Sequence, residues 1–159
     1  MPGSSQPLTF QEALRKAEHY CAYQERCHYE VRQKLWQLGA HREDIDAILA
    51  ELVTGNYLNE ERFSRLFARS KFNQKRWGRN RIRLELKQKQ ISEYCIRKGL
   101  EEIEEKKYLQ GLQEVAEKRW KAEKATHPAA KRQLVAQYLT GRGYEANLVW
   151  ETLEGFGSR

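Results

Sequence analysis

The positions Val31, Leu35, Gly39, Ala40, Ile45 and Leu49 return 51 residues later as Ile82, Leu86, Gln90, Ile91, Ile96 and Leu100. They return again after a further 53 residues as Val135, Leu139, Gly143, Tyr144, Val149 and Leu153. Five of the six positions are apolar in every copy. The remaining one is Gly, Gln and Gly, where a helix that ends left-handed favours glycine. Apolar residues four apart, then a turn, then helical spacing again describe two short helices around a corner. A stretch of helical periodicity precedes each copy, at 9–26, 60–72 and 111–124. This repeat constrains the fold more than any other feature: the chain reads as all-α, with three tandem three-helix repeats in an elongated, curved array. The expected divisions are a disordered lead at 1–8, repeats at 9–58, 59–107 and 108–156, and a tail at 157–159.

Local signals agree with helices. Thr9-Phe10-Gln11-Glu12 has the form of a capping box, followed by Ala13, Leu14, Ala17, Tyr20 and Cys21 at helical spacing. Asn59 before two glutamates, Ser92 before Glu93, and Pro128 each suit a helix start. The chain has only three prolines, and no alternating strand pattern of useful length occurs. No apolar run approaches the roughly 20 residues of a membrane span. The opening MPGSSQP lacks the apolar core of a secretory signal, so none is expected. Three scattered cysteines, Cys21, Cys27 and Cys95, make no disulfide framework and fit a reducing cytoplasm. No heptad seam is long enough for a coiled coil, so a monomer is expected.

The charge is concentrated. Between Arg69 and Gln90 nine Lys/Arg stand against one acid, Glu85, a local charge of +8 in a chain whose whole net charge is +7. If Arg79 to Gln90 is helical, Ile82 and Leu86 anchor it, and Arg79, Arg83 and Lys87 stack at i, i+4 and i+8 into a cationic ridge. Like charges at that spacing destabilise an isolated helix by a few tenths of a kcal/mol per pair, so the ridge suggests an anionic partner. The candidate contact set is Lys75, Arg76, Arg79, Arg81, Arg83, Lys87 and Lys89. Nucleic acid, an acidic protein surface and anionic lipid all remain open on charge alone. Trp77 can stack on a base or pack beneath its loop, and packing is favoured. The acidic run Glu101, Glu102, Glu104 and Glu105 reads as a solvated helix surface.

Nothing in the residues suggests catalysis. His19, Cys21, Cys27 and His28 do not share one helical face, and no C-x-x-C brackets them, so no metal is expected. Cys27 reads instead as a helix cap. GRGYEA (141–146) lacks the preceding strand that a dinucleotide fingerprint needs. No catalytic residue and no cofactor is expected.

The middle of the chain resembles a known family. GNYLNEERF (55–63) followed by KRWGRNRIRLELKQKQI (75–91) is similar to the paired signature of RecX-type regulatory proteins. Tyr57, Leu58, Arg62 and Phe63 match its first half. Trp77, Gly78, Arg81, Ile82, Glu85, Leu86, Lys89 and Ile91 match its second. The likeness spans about residues 10–155 and weakens in the third repeat. Three positions depart from the pattern: Arg79 where the family has proline, Gln90 where it has glycine, and Cys27 where it often has serine.

The resemblance implies a regulator that binds the RecA recombinase filament on single-stranded DNA and lowers its ATP hydrolysis, strand exchange and coprotease functions. It also gives Arg81 a second reading, as a residue held within the fold beside Ile82. Charge reversal at Arg83 with Lys87 is then expected to abolish inhibition with helicity intact. The residues by themselves leave two rivals: a stand-alone helical nucleic-acid-binding module, and an adaptor with no DNA role.

Overall fold

The computed structural model describes residues 8–157. Within them lie nine helices: α1 (Phe10–Tyr23), α2 (His28–Leu38), α3 (Arg42–Thr54), α4 (Glu60–Lys75), α5 (Arg79–Gln88), α6 (Glu93–Leu100), α7 (Glu105–Ala122), α8 (Pro128–Gly141) and α9 (Ala146–Leu153). Among the described residues, extended pairing is limited to an isolated bridge between Leu8 and Ala40. The extensively packed helix pairs all fall within α1–α3, α4–α6 or α7–α9, so the chain is three tandem three-helix units.

The caps read from sequence form as expected. Thr9 accepts from the Glu12 N–H at 3.1 Å, and the Glu12 carboxylate accepts from the Thr9 N–H at 2.9 Å. Asn59 and Ser92 accept from the third N–H of α4 and α6, and Pro128 opens α8, where its missing N–H leaves no bond unmade. Cys27 stands at the N-cap of α2, with its own N–H donated to Glu30 at 3.3 Å. Burial pushes the Cys27 thiol up to about 11, as it does Cys21, so neither is a ready thiolate.

The three corners of the repeat share one geometry. Gly39 (φ 83°), Gln90 (φ 62°) and Gly143 (φ 104°) all turn left-handed. In each unit the next N–H returns to the buried leucine of the preceding helix. Ala40 bonds to Leu35 at 3.0 Å, Ile91 to Leu86 at 3.1 Å and Tyr144 to Leu139 at 3.2 Å. Gln90 takes this turn with a Cβ, at a cost of about 1 kcal/mol relative to glycine.

Two cores result. Val31, Leu35, Ile45 and Leu49 pack with Ala13 and Ala17 of α1 in the first. Ile82, Leu86, Ile91 and Ile96 share a second, continuous core with Val135, Leu139, Tyr144, Val149 and Leu153. The second and third units are therefore one packed body, into which Cys27 reaches from the first unit.

Three expectations need correction. The third leading helix starts at Glu105 rather than at 111, so a division after 107 falls inside α7. Gly111 marks not a helix start but a crossing, where an added Cβ would stand 2.8 Å from the Phe72 ring. The acidic run is not one helix surface: Glu101 and Glu102 lie in the turn after α6, Glu104 caps α7, and only Glu105 lies on a helix, as the first residue of α7. Glu102 accepts from Arg65 at 2.8 Å and Arg69 at 2.7 Å, and Glu105 accepts from Arg79 at 2.5 Å. Of the expected disordered lead, residues 1–7 lie outside the described residues, while Leu8 is ordered and packs on the first core. Of the tail, 158 and 159 also lie outside them.

Candidate functional site

The basic segment 76–80, a loop at 76–78 and the start of α5, is first a joint between units. Arg76 ends α4 in the left-handed conformation (φ 55°), and Gly78 caps α5. The Gly78 N–H donates to the Arg142 carbonyl at 2.9 Å and the Asn80 N–H to the Gly143 carbonyl at 2.8 Å. The Tyr144 hydroxyl donates to the Arg76 carbonyl at 2.9 Å, and the Arg142 side chain bonds the Lys75 carbonyl. The backbones meet so closely that a Cβ on Gly78 would stand 2.2 Å from the Gly143 carbonyl carbon.

The structure divides the sequence-predicted cations into groups with different partners. Arg79 is engaged inside the molecule. Its guanidinium lies 3.8 Å from the Tyr108 ring centre and donates to Glu145 at 2.9 Å and to Glu105 at 2.5 Å. Its backbone N–H donates to the Tyr108 hydroxyl at 3.0 Å, and that hydroxyl donates to Glu145 at 2.5 Å. A proline here, the residue the family pattern leads one to expect, has no N–H to give Tyr108. Burial opposes the Arg79 charge, but its bonds to Glu145 outweigh this and raise its pKa; Tyr108 is also pushed up, by burial and then by Glu145. Lys89 reaches back to Glu30 of α2 at 3.0 Å and ties the second unit to the first. Arg81 lies 4.1 Å over the Trp77 ring. Trp77 packs edge-on against Phe67 at 6.3 Å, with Lys71 on its ring at 5.0 Å.

Four of the named cations face outward or line an open cleft. Arg83 pairs with Glu93 at the surface. Lys87 and Lys75 are exposed and have no carboxylate partner among the described residues. Between Arg83 and Lys87 stands Leu84, 54% exposed, which the charge pattern had hidden. Lys75 and Arg76 line a cleft of about 480 Å³ with Lys118, Arg119 and Arg142 of the third unit, and the one acid there, Glu114, holds Arg76 at 3.3 Å. The third unit's share of this cleft was not legible in sequence, because its cations are separated along the chain.

The first half of the signature also holds units together. Arg62 donates to Glu25 at 2.6 Å and to the Asn56 side chain at 3.1 Å, while Leu58 and Phe63 are buried. Among the described residues no group of three His, Cys, Asp or Glu is placed to hold a metal ion, and no helix is long and apolar enough to cross a membrane.

Comparison with known proteins follows the same three units. Sequence models for the first, second and third three-helix domains of RecX match residues 13–52, 59–100 and 105–153. A Regulatory protein RecX from Prosthecochloris aestuarii is 28% identical over 154 residues, covering 90% of this chain and 92% of that protein. One from Lactobacillus gasseri is 31% identical over 97 residues, covering 61% of this chain but only 36% of its own length. The match thus spans about a third of that longer relative. The crystal structure of RecX from Lactobacillus salivarius shares the fold, with a TM-score of 0.82 at 22% identity over 91% of this chain and 94% of that one. With all three domains matched in order along its length, the chain belongs to the RecX family of regulatory proteins.

Proposed function

We propose that the chain binds the RecA recombinase filament on single-stranded DNA and restrains its recombinase, ATPase and coprotease activities. It does so without catalysis or a cofactor, as a monomer in the cytoplasm. The observation that carries this reading is the ordered match of all three units to the domains of RecX, a family of RecA regulators.

The surface supports a division of labour. In this reading Lys87, Arg83 and Leu84 on the outward stripe of α5, with Lys75 and Arg76 in the junction cleft, meet acidic side chains or phosphates of the filament. Arg79, Lys89 and Arg81 keep the units and the Trp77 loop in register.

Co-sedimentation with preformed RecA filaments, beside bare single-stranded DNA at about 0.15 M salt, tests this while ATP hydrolysis is followed. Tighter binding to filament than to DNA, with falling hydrolysis, is the expected result. Equal binding to both, with hydrolysis falling only as DNA is sequestered, would favour a nucleic-acid-binding module instead.

A further inference from the structure

The first unit carries an electropositive cleft that the charge profile of the sequence does not advertise. It lies between α1 and α2, has a volume of about 800 Å³, and is lined by Arg15, Lys16, Arg26 and Lys34 around Tyr20 and Tyr23. Unlike Arg79, Arg83 and Lys89 in the middle unit, none of these four cations has a carboxylate partner among the described residues. Glu12, the one acid at the rim, is bound to the Thr9 backbone and serves the start of α1; its charge also acts on Lys16 and Arg15, so four cations face a single, already committed acid.

The aromatic groups narrow the choice of ligand. The Arg26 guanidinium lies 3.7 Å from the Tyr20 ring centre, fixed there by donating Nε–H to the Tyr20 carbonyl at 3.2 Å. Lys34 approaches the same ring at 5.3 Å. Tyr23 is 78% exposed, with an open face beside these charges. An acidic protein surface would use the cations and leave Tyr23 without a role. A phosphodiester strand uses both: phosphates meet Arg15, Lys16 and Lys34, and an unpaired base stacks on Tyr23 or on the outer face of the Arg26 plane. The bases of a duplex are already stacked on each other, so the exposed ring selects a single strand.

We infer that the α1–α2 cleft of the first unit binds single-stranded nucleic acid, by phosphate contacts to Arg15, Lys16 and Lys34 and base stacking on Tyr23. This site is separate from the α5 stripe and the junction cleft. It acts on a bare strand, so its test does not depend on the filament reading.

The experiment is fluorescence anisotropy of a labelled oligothymidylate titrated with the full chain over a salt series. Arg15→Glu with Lys34→Glu is expected to weaken binding about tenfold, and to reduce the salt slope by about 1.4 for two lost phosphate contacts on a single strand. Lys121→Glu with Lys124→Glu changes the net charge equally at exposed positions outside the cleft and is expected to have a much smaller effect. Tyr23→Ala, at unchanged charge, is expected to lower affinity about fivefold or more. Circular dichroism of each variant shows whether the fold is retained. Equal losses from the two charge reversals would assign binding to diffuse net charge, and full affinity in Tyr23→Ala would remove the stacking role; either overturns the inference. Equally tight binding of a labelled oligoglutamate of the same charge would assign the cleft to acidic proteins and also overturn it.

Discussion

The two junctions between units are built differently. Between the second and third, apolar cores merge: Phe72, Tyr108 and Tyr144 form a chain of rings with centres 5.6 and 5.3 Å apart. Backbone bonds to backbone across the Gly78–Gly143 contact. Between the first and second, the first core stays separate, and side chains make much of the connection. Glu60 accepts from the His28 N–H at 2.8 Å, Arg62 pairs with Glu25 at 2.6 Å, and Lys89 pairs with Glu30 at 3.0 Å. Merged apolar surface is insensitive to salt, whereas half-exposed ion pairs contribute modestly and are screened. The contrast teaches that one chain of like units can be joined by a merged apolar core at one junction and largely by ion pairs at the next.

Gly143→Ala should test the merged junction hardest. Its Cβ would stand 2.5 Å from the Arg81 backbone nitrogen at a φ of 104°, so a loss of about 4 kcal/mol in urea unfolding is expected. A loss under about 1 kcal/mol would mean that the backbones do not meet as described. Glu145→Gln removes the more buried of the two carboxylates that compensate half-buried Arg79 and should cost about 2 kcal/mol. At the ion-paired junction, the coupling between Lys89 and Glu30 in a double-mutant cycle should be about 1 kcal/mol or less. Amides of α1–α3 should then exchange faster in high salt while those of α4–α9 hardly change.

Much of this was legible in sequence, because the repeat is written in residues that the fold must bury or turn. The left-handed corner was readable even at Gln90, since its neighbours matched those of Gly39 and Gly143. The resemblance was strongest in the middle unit for the same reason: Arg62, Gly78, Ile82, Leu86 and Lys89 hold units together. What the chain's linear charge concealed was compensation. Of the cations in the +8 segment, Arg69, Arg76, Arg79, Arg83 and Lys89 find acids supplied by Glu102, Glu114, Glu105, Glu145, Glu93 and Glu30, all outside that segment. The cleft of the first unit stayed invisible because its cations are spread over two helices and the loop between them, and its one acid, Glu12, is committed to the Thr9 cap.

Two smaller effects sharpen the contrast within the second unit. Gln90→Gly should stabilise the chain by about 1 kcal/mol, since only the side chain's dislike of the left-handed turn is removed. Glu102 is held below the ordinary carboxylate value of 4.5, chiefly by its hydrogen bond from Arg65 and then by Arg69. Its share of stability is present above pH 4.5 and lost as pH falls through its depressed pKa. Arg65→Met with Arg69→Met should flatten the acid limb of a stability–pH curve.

The measurement that bears most directly on the division between partner-facing and fold-holding cations is RecA filament ATP hydrolysis in the presence of Lys75→Glu with Lys87→Glu, beside the thermal midpoint of the same variant. Both lysines are exposed and have no carboxylate partner among the described residues, so the midpoint should be unchanged and the inhibition lost. Full inhibition by the folded variant would contradict the assignment of the basic segment's free cations to the filament.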